Sequence, residues 1–160
     1  MKALLFLTIN SFLFAFAAFP AQAKNTCKNG KNTLFYCVTQ NNKEVEVCHD
    51  DNTLSYRFGK TNGAAEISFT KLKSEVTGYR WEGFGRNMPY YANIPNGDVT
   101  YTVHWSIEKK LYDHIDPEPV AGITVTDNKT DKILANINCN MKTVVHNLMD
   151  VELPKEQNDN

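Results

Sequence analysis

The chain has no run of basic residues. Its 17 lysines and arginines face 18 acids, for a formal charge of −1. A nucleic-acid binder needs a cationic stripe, and an anionic membrane surface needs the same, so both partners are excluded as expectations. None of the four cysteines sits in a C-x-x-C pair, so a zinc site has no ligand spacing to start from. His49, His104, His114 and His146 show no metal spacing and no H-E-x-x-H. Ser55, Ser68, Ser74 and Ser106 lack a G-x-S-x-G context, and no glycine loop is of the kind that cradles phosphate. No metal, cofactor or catalytic residue is therefore assigned. Internal repeats and linkers are missing too, which points to one domain.

Long apolar runs are equally scarce. The one present, residues 4–19, is interrupted by Thr8, Asn10 and Ser11. It is too short and too broken for a good spanning helix. Lys2 precedes it and Ala21-Gln22-Ala23 follows, a small-x-small cleavage site. Residues 1–23 thus read as a secretory signal peptide of bacterial style. Asn25-Thr26 before Cys27 is not a lipoprotein box. The expected product is periplasmic or secreted, free of the membrane after cleavage, with a single β domain over 24–154 and a disordered tail over 155–160.

What is present fits that compartment. Cys27, Cys37, Cys48 and Cys139 form an even set in the mature part, which reads as two disulfides. Three pairings exist. The preferred one joins Cys27 to Cys37 and Cys48 to Cys139, the second bridge being worth roughly 4 kcal/mol in the chain-entropy model.

Period-two patterns dominate the mature chain. The stretch from Cys48 to Gly59 holds a cysteine, a polar turn at Asp50-Asp51-Asn52, and a strand with Leu54, Tyr56 and Phe58 on one face. Before it, residues 33–40 and 44–47 alternate as two further strands. Asn41-Asn42 turns between them, and Glu44 and Glu46 form an exposed polar face. Links this short join antiparallel neighbours. Ala65, Ile67 and Phe69 mark a fourth strand. Val99 to Ile107 is the clearest, with Val99, Tyr101, Val103, Trp105 and Ile107 on one side and Thr100, Thr102, His104 and Ser106 on the other. Ala121, Ile123 and Val125 give a sixth, and residues 133–139 a seventh. Met141, Val144, Val145, Leu148 and Met149 then fall at helical spacing, and Pro154 ends the pattern. The expected fold is all-β and mainly antiparallel: a small β-barrel or β-sandwich of about seven strands with a short C-terminal helix. Cys48 has opposite parity to Val45 and Val47, which calls for a bulge or for a disulfide outside the main core.

The stretch richest in binding chemistry is 78–91, within a segment 78–95 read as irregular. Tyr79, Arg80, Trp81, Arg86, Tyr90 and Tyr91 stand there among glycines. Tyrosine, tryptophan and arginine dominate binding hot spots, and glycine permits close backbone approach. Part of this aromatic set, Trp81 and Phe84 above all, can equally fill a core. A second reading places a hydrolase at Asp113-His114-Ile115-Asp116, where an acid on each side could orient an imidazole base. Its plain alternative is a solvated loop. A third is a structural or adhesive surface component.

Cys27-x-x-Gly30, Cys37, Cys48, Tyr56-Arg57-Phe58-Gly59, Tyr101-Thr102-Val103 and Cys139 together resemble a group of small bacterial periplasmic and secreted disulfide-bonded β-domain proteins. At the level of architecture the chain also resembles the periplasmic lysozyme inhibitors, whose signature loop carries Ser-Gly and Tyr. The nearest stretch here runs from Ser74 to Gly78-Tyr79, where serine and glycine are not adjacent. The first reading is a non-catalytic binding module for a protein or glycan of the cell envelope, acting through the aromatic–arginine stretch and the charged, proline-ended loop 108–119, and the resemblance implies lysozyme inhibition as its specific version.

Overall fold

The computed structural model describes Cys27, residues 32–110 and residues 116–156. The signal-peptide reading, Asp113, His114 and residues 157–160 lie outside the described residues. Ten strands follow one another: β1 (Thr33–Val38), β2 (Lys43–His49), β3 (Thr53–Lys60), β4 (Ala65–Leu72), β5 (Thr77–Arg80), β6 (Asn87–Asn96), β7 (Val99–Glu108), β8 (Val120–Asp127), β9 (Ile133–Asn138) and β10 (Val145–His146). They form two five-stranded antiparallel sheets, ordered β10-β1-β2-β3-β4 and β5-β6-β7-β8-β9. The all-β, antiparallel expectation holds. The barrel does not, because neither sheet closes, and the described residues hold ten strands, not about seven.

The inner faces of the two sheets share one core. Phe35, Val45, Val47, Leu54 and Tyr56 come from the first sheet, and Ala92, Ile94, Val103 and Ile123 from the second. Tyr56 and Tyr101 bring their rings to 4.9 Å across the layers, and Trp105 stacks on His146 at 4.6 Å. The alternation read in β3 and β7 is what fills this space.

Two of the extra strands come from the stretch read as irregular. β6 contains Pro89 and Pro95, which lack the donor a central strand needs. β5 pairs only with the part of β6 from Tyr90 to Asn93. Both prolines fall beyond that span, where one side of β6 is an edge and a missing N–H is tolerated. At the β6–β7 hairpin Gly97 takes φ 63°, which glycine adopts without strain.

The third extra strand replaces the expected C-terminal helix; no α-helix occurs among the described residues. Met141–Thr143 is a single 3-10 turn, capped by the Asn140 side chain accepting from the Lys142 N–H. β10 then pairs with Phe35 and Tyr36 of β1. The apolar residues at helical spacing are still used, since Met141, Val144 and Leu148 all pack on the core. An isolated two-turn helix is a poor nucleus, whereas an extended segment satisfies the open edge of β1.

All four cysteines are paired, but not as preferred. The bridges are Cys27–Cys48 and Cys37–Cys139. Register explains this. Cys37 lies opposite Val45 on the core side of β1, and Cys48 lies opposite Ser55 on the other side of β2. Only Cys37 can look toward the second sheet, where Cys139 follows β9. The parity of Cys48 is thus accounted for by a disulfide outside the main core.

Candidate binding cleft

The first sheet's outer side corrects a sequence expectation. Glu44 and Glu46, read as an exposed strand face, are buried, as is Arg57. Arg57 Nη1 donates to Glu44 Oε1 at 2.5 Å, and its Nη2 to the Gly63 carbonyl at 2.6 Å. Glu46 Oε1 accepts from the Cys27 N–H, while Oε2 has no partner. Glu46 and the two sulfurs of Cys27 and Cys48 lie close enough to share an ion. The sulfurs are bonded to each other, however, and a disulfide offers no thiolate.

The second sheet carries the cleft. β5 is four residues long, so the chain leaves the sheet after Arg80 and swings through a loop back to β6. That loop turns at Gly83 and Gly85, with φ of 102° and 79°, conformations costly for any other residue. It is braced from within. Trp81 Nε1 donates to the Phe84 carbonyl at 2.6 Å, and the Lys109 ammonium sits 4.3 Å from the centre of the Trp81 ring. The Lys109 N–H bonds the Arg86 carbonyl at 2.7 Å. Phe84 itself is left outside, 88% exposed at the loop tip.

The chain's last described stretch runs along β5 from the other side. The Gly78 N–H donates to the Pro154 carbonyl at 2.8 Å, and Gly78 bridges to Lys155 in parallel. Here proximity favours glycine: a Cβ would lie 3.0 Å from the Leu153 side chain, which would have to give way. Three side chains fasten the segment. Arg80 donates to the Met149 carbonyl at 3.1 Å, Lys155 Nζ meets Glu82 Oε1 at 2.5 Å, and the Tyr91 hydroxyl donates to Glu156 Oε2 at 3.0 Å.

Between these walls lies a cleft of about 810 Å³. Five of the six residues singled out from the sequence line it: Tyr79, Arg80, Trp81, Tyr90 and Tyr91. Tyr79 and Tyr91 are cross-strand partners with rings stacked at 5.5 Å. Tyr90 points inward and also touches the Trp105 ring at 5.8 Å. The sixth residue, Arg86, is not in the cleft; it is exposed and pairs with Glu108 at 3.6 Å. Burial, with help from the bond to Glu156, pushes the Tyr91 phenol up to about 12. The hydrogen bond from Lys155 holds the Glu82 carboxyl below its ordinary value.

Sequence reading missed the opposite wall, Leu148 to Glu156, because those residues had been assigned to a helix and a tail. The signal available was Gly78 itself, a glycine inside a strand, which marks a close backbone approach. Of the hydrolase reading only Asp116 is described, and it pairs with Lys110 at 2.5 Å. A second, smaller hollow of about 270 Å³ lies beside Cys27, Cys48 and His49.

No protein-family model matches this chain, and neither a curated protein nor a solved structure does.

Proposed function

We propose that this chain is an exported, non-catalytic binding module, periplasmic or secreted, whose ligand enters the cleft between β5 and the C-terminal segment. The observation that carries this reading is the convergence of Tyr79, Arg80, Trp81, Tyr90 and Tyr91 on one concave site. Aromatic walls with a few fixed polar groups are what ligand clefts are made of. Two of the cleft's carboxylates are already engaged, Glu82 by Lys155 and Glu156 by Tyr91. A general acid needs its carboxyl raised, and Glu82 is shifted the other way. The amino-terminal leader-like sequence and the two disulfides support export.

The partner belongs to the cell envelope, as a protein or a glycan. The protein version is inhibition of a lysozyme, and it gains from Phe84. An exposed aromatic on a braced loop is a ready anchor for a partner's pocket. The test is calorimetric titration of the oxidised protein against c-, g- and i-type lysozymes and against soluble peptidoglycan fragments. Binding to one of these at micromolar concentration, weakened at least tenfold by Arg80→Ala, is the expected result. Binding to none, or binding indifferent to Arg80→Ala and Trp81→Ala alike, would overturn the reading.

A further inference from the structure

The second sheet's outer face has an order that the cleft does not use. Cross-strand partners share a face. One row therefore runs through Thr77, Asn93, Thr102, Thr124 and Asn136, one residue from each of the five strands. These side chains bond in two groups, Thr77 with Asn93 and Thr102, and Thr124 with Asn136. Asn93 Nδ2 donates to Thr77 Oγ1 at 3.3 Å, Thr102 Oγ1 to Asn93 Oδ1 at 2.8 Å, and Thr124 Oγ1 to Asn136 Oδ1 at 3.5 Å. The neighbouring row is Tyr79, Tyr91, His104, Gly122 and Asn138. Its tyrosine end opens into the cleft. His104 lies over Gly122, where a Cβ would sit 3.2 Å from the ring. The rows on either side, Pro95–Thr100–Thr126 and Pro89–Ser106–Val120, continue the pattern.

None of these positions is aspartate, glutamate, lysine or arginine, in a chain of which 22% is charged. The face reaches solvent nonetheless: Thr102 and Thr124 are half-buried, and Asn136 and Asn138 are exposed. Burial of His104 favours its neutral form. An uncharged face of this kind offers nothing to nucleic acid or to an anionic membrane. Away from its tyrosine end its exposed apolar side chains are aliphatic and lie at the margin, Val120 and Ile133, rather than the aromatic and arginine anchors that dominate protein interfaces. What it offers is fixed hydroxyls and amides with capacity to spare. Asn93 has one N–H and one lone pair unused in the ladder, and Thr102 and Thr124 can still accept. The ladder holds these groups in place, so a ligand need not pay to order them.

The geometry points to a neutral, hydroxyl-rich glycan lying across the outer face of the second sheet, with its end between the Tyr79 and Tyr91 rings and the cleft. Five strands span four spacings, about 19 Å, room for a short oligosaccharide rather than a single sugar. Extended β-1,4-linked chains suit such a surface, with ring faces for the tyrosines and hydroxyl edges for the ladder. This inference rests on the cleft reading, because the tyrosines belong to both surfaces.

The test is titration of the oxidised protein with chitohexaose and cellohexaose, with cationic chitosan hexamer as the charged control of the same linkage. Thr102→Lys and Thr124→Ala probe the face, Arg80→Ala probes the cleft, and thermal unfolding confirms that each variant folds. Expected is micromolar binding of a neutral hexamer, at least tenfold weaker binding of the charged one, at least a tenfold loss in Thr102→Lys and a smaller loss in Thr124→Ala, whatever Arg80→Ala does at the cleft end. Glycan binding that only Arg80→Ala weakens overturns the face and leaves the cleft reading standing. Binding of neither neutral hexamer overturns the inference, and the lysozyme and peptidoglycan titrations then judge the cleft alone. A dimer that Thr102→Lys dissociates, with no glycan bound, also overturns it and assigns the face to a second copy of the chain.

Discussion

Glu44 is fully buried and its partner Arg57 nearly so. Two charges out of water are tolerated only because each has the other, and the Gly63 carbonyl takes a further guanidinium donor. Removing one partner strands the other. Arg57→Ala is therefore expected to cost about 3–5 kcal/mol in urea unfolding. The double change Glu44→Met with Arg57→Met is expected to cost much less, because it leaves no bare charge behind. Alternation along β2 placed Glu44 and Glu46 opposite Val45 and Val47, and the structure agrees. Period two reports which side a residue is on, not what covers that side, so the burial of Glu44 and Glu46 was not legible. The histidines give a second test at this scale. Burial lowers the values of His104 and His146 below the ordinary 6.5, with Asp150 partly opposing it at His146. A base depressed by folding stabilises fully above its unfolded value, and that stability fades as pH falls through the folded one. The melting temperature is expected to hold above pH 6.5 and decline in the acid window beneath it. His104→Gln and His146→Gln are each expected to flatten that decline in a pH series of thermal melts.

At the scale of elements, the C-terminal segment decides the shape of the site. It closes the edge of β1 through β10 and then runs along β5, so two open sheet edges are managed by one stretch of chain. Its hold on β5 is light, which makes it testable. Tyr91→Phe deletes the hydrogen bond to Glu156 and keeps the ring that stacks on Tyr79. The loss is expected to be up to about 1 kcal/mol, trimmed by solvent exposure, with about fivefold faster hydrogen exchange at the Gly78 amide. Exchange at core amides such as Val103 should not change. Spectrophotometric titration should also lose a tyrosine that ionises at about 12. This element was only half legible. The apolar spacing from Met141 to Met149 put Met141, Val144 and Leu148 on one side, and they pack on the core, Leu148 buried and the other two partly so, whereas Met149 is exposed. It could not tell a helix from a turn followed by an edge strand, because both bring Met141, Val144 and Leu148 to the core. Only the need of β1 for a partner separates them, and that need is not local. The aromatic stretch fared similarly. Its residue types pointed to Tyr79, Arg80 and Trp81, but the far wall was contributed by residues about seventy positions away.

The whole molecule is two sheets held by a shared core and one covalent tie. Cys37 leaves β1 in the first sheet and Cys139 follows β9 in the second, a separation of 102 residues. Cys27–Cys48 spans only 21 and stays beside one sheet. Pair parity told that all four cysteines would be used. The choice among three pairings depends on which face of a strand each thiol occupies once register is set, and cysteine spacing carries no register. The two bridges should therefore differ in worth. In the chain-entropy model the long loop contributes about 5 kcal/mol and the short one about 3 kcal/mol. Replacing Cys37 and Cys139 with alanine should lower the urea midpoint by more than replacing Cys27 and Cys48. The core spans both sheets without help from sulfur, through Tyr56 against Tyr101 and Trp105 against His146. Each variant should accordingly still unfold in one transition, reported together by tryptophan fluorescence and far-ultraviolet dichroism. Two separate transitions in the Cys37→Ala, Cys139→Ala protein would mean that the disulfide, and not the shared core, couples the sheets. In that case the cleft, built by carrying the chain from the first sheet across the edge of the second, should lose its ligand at the first of the two.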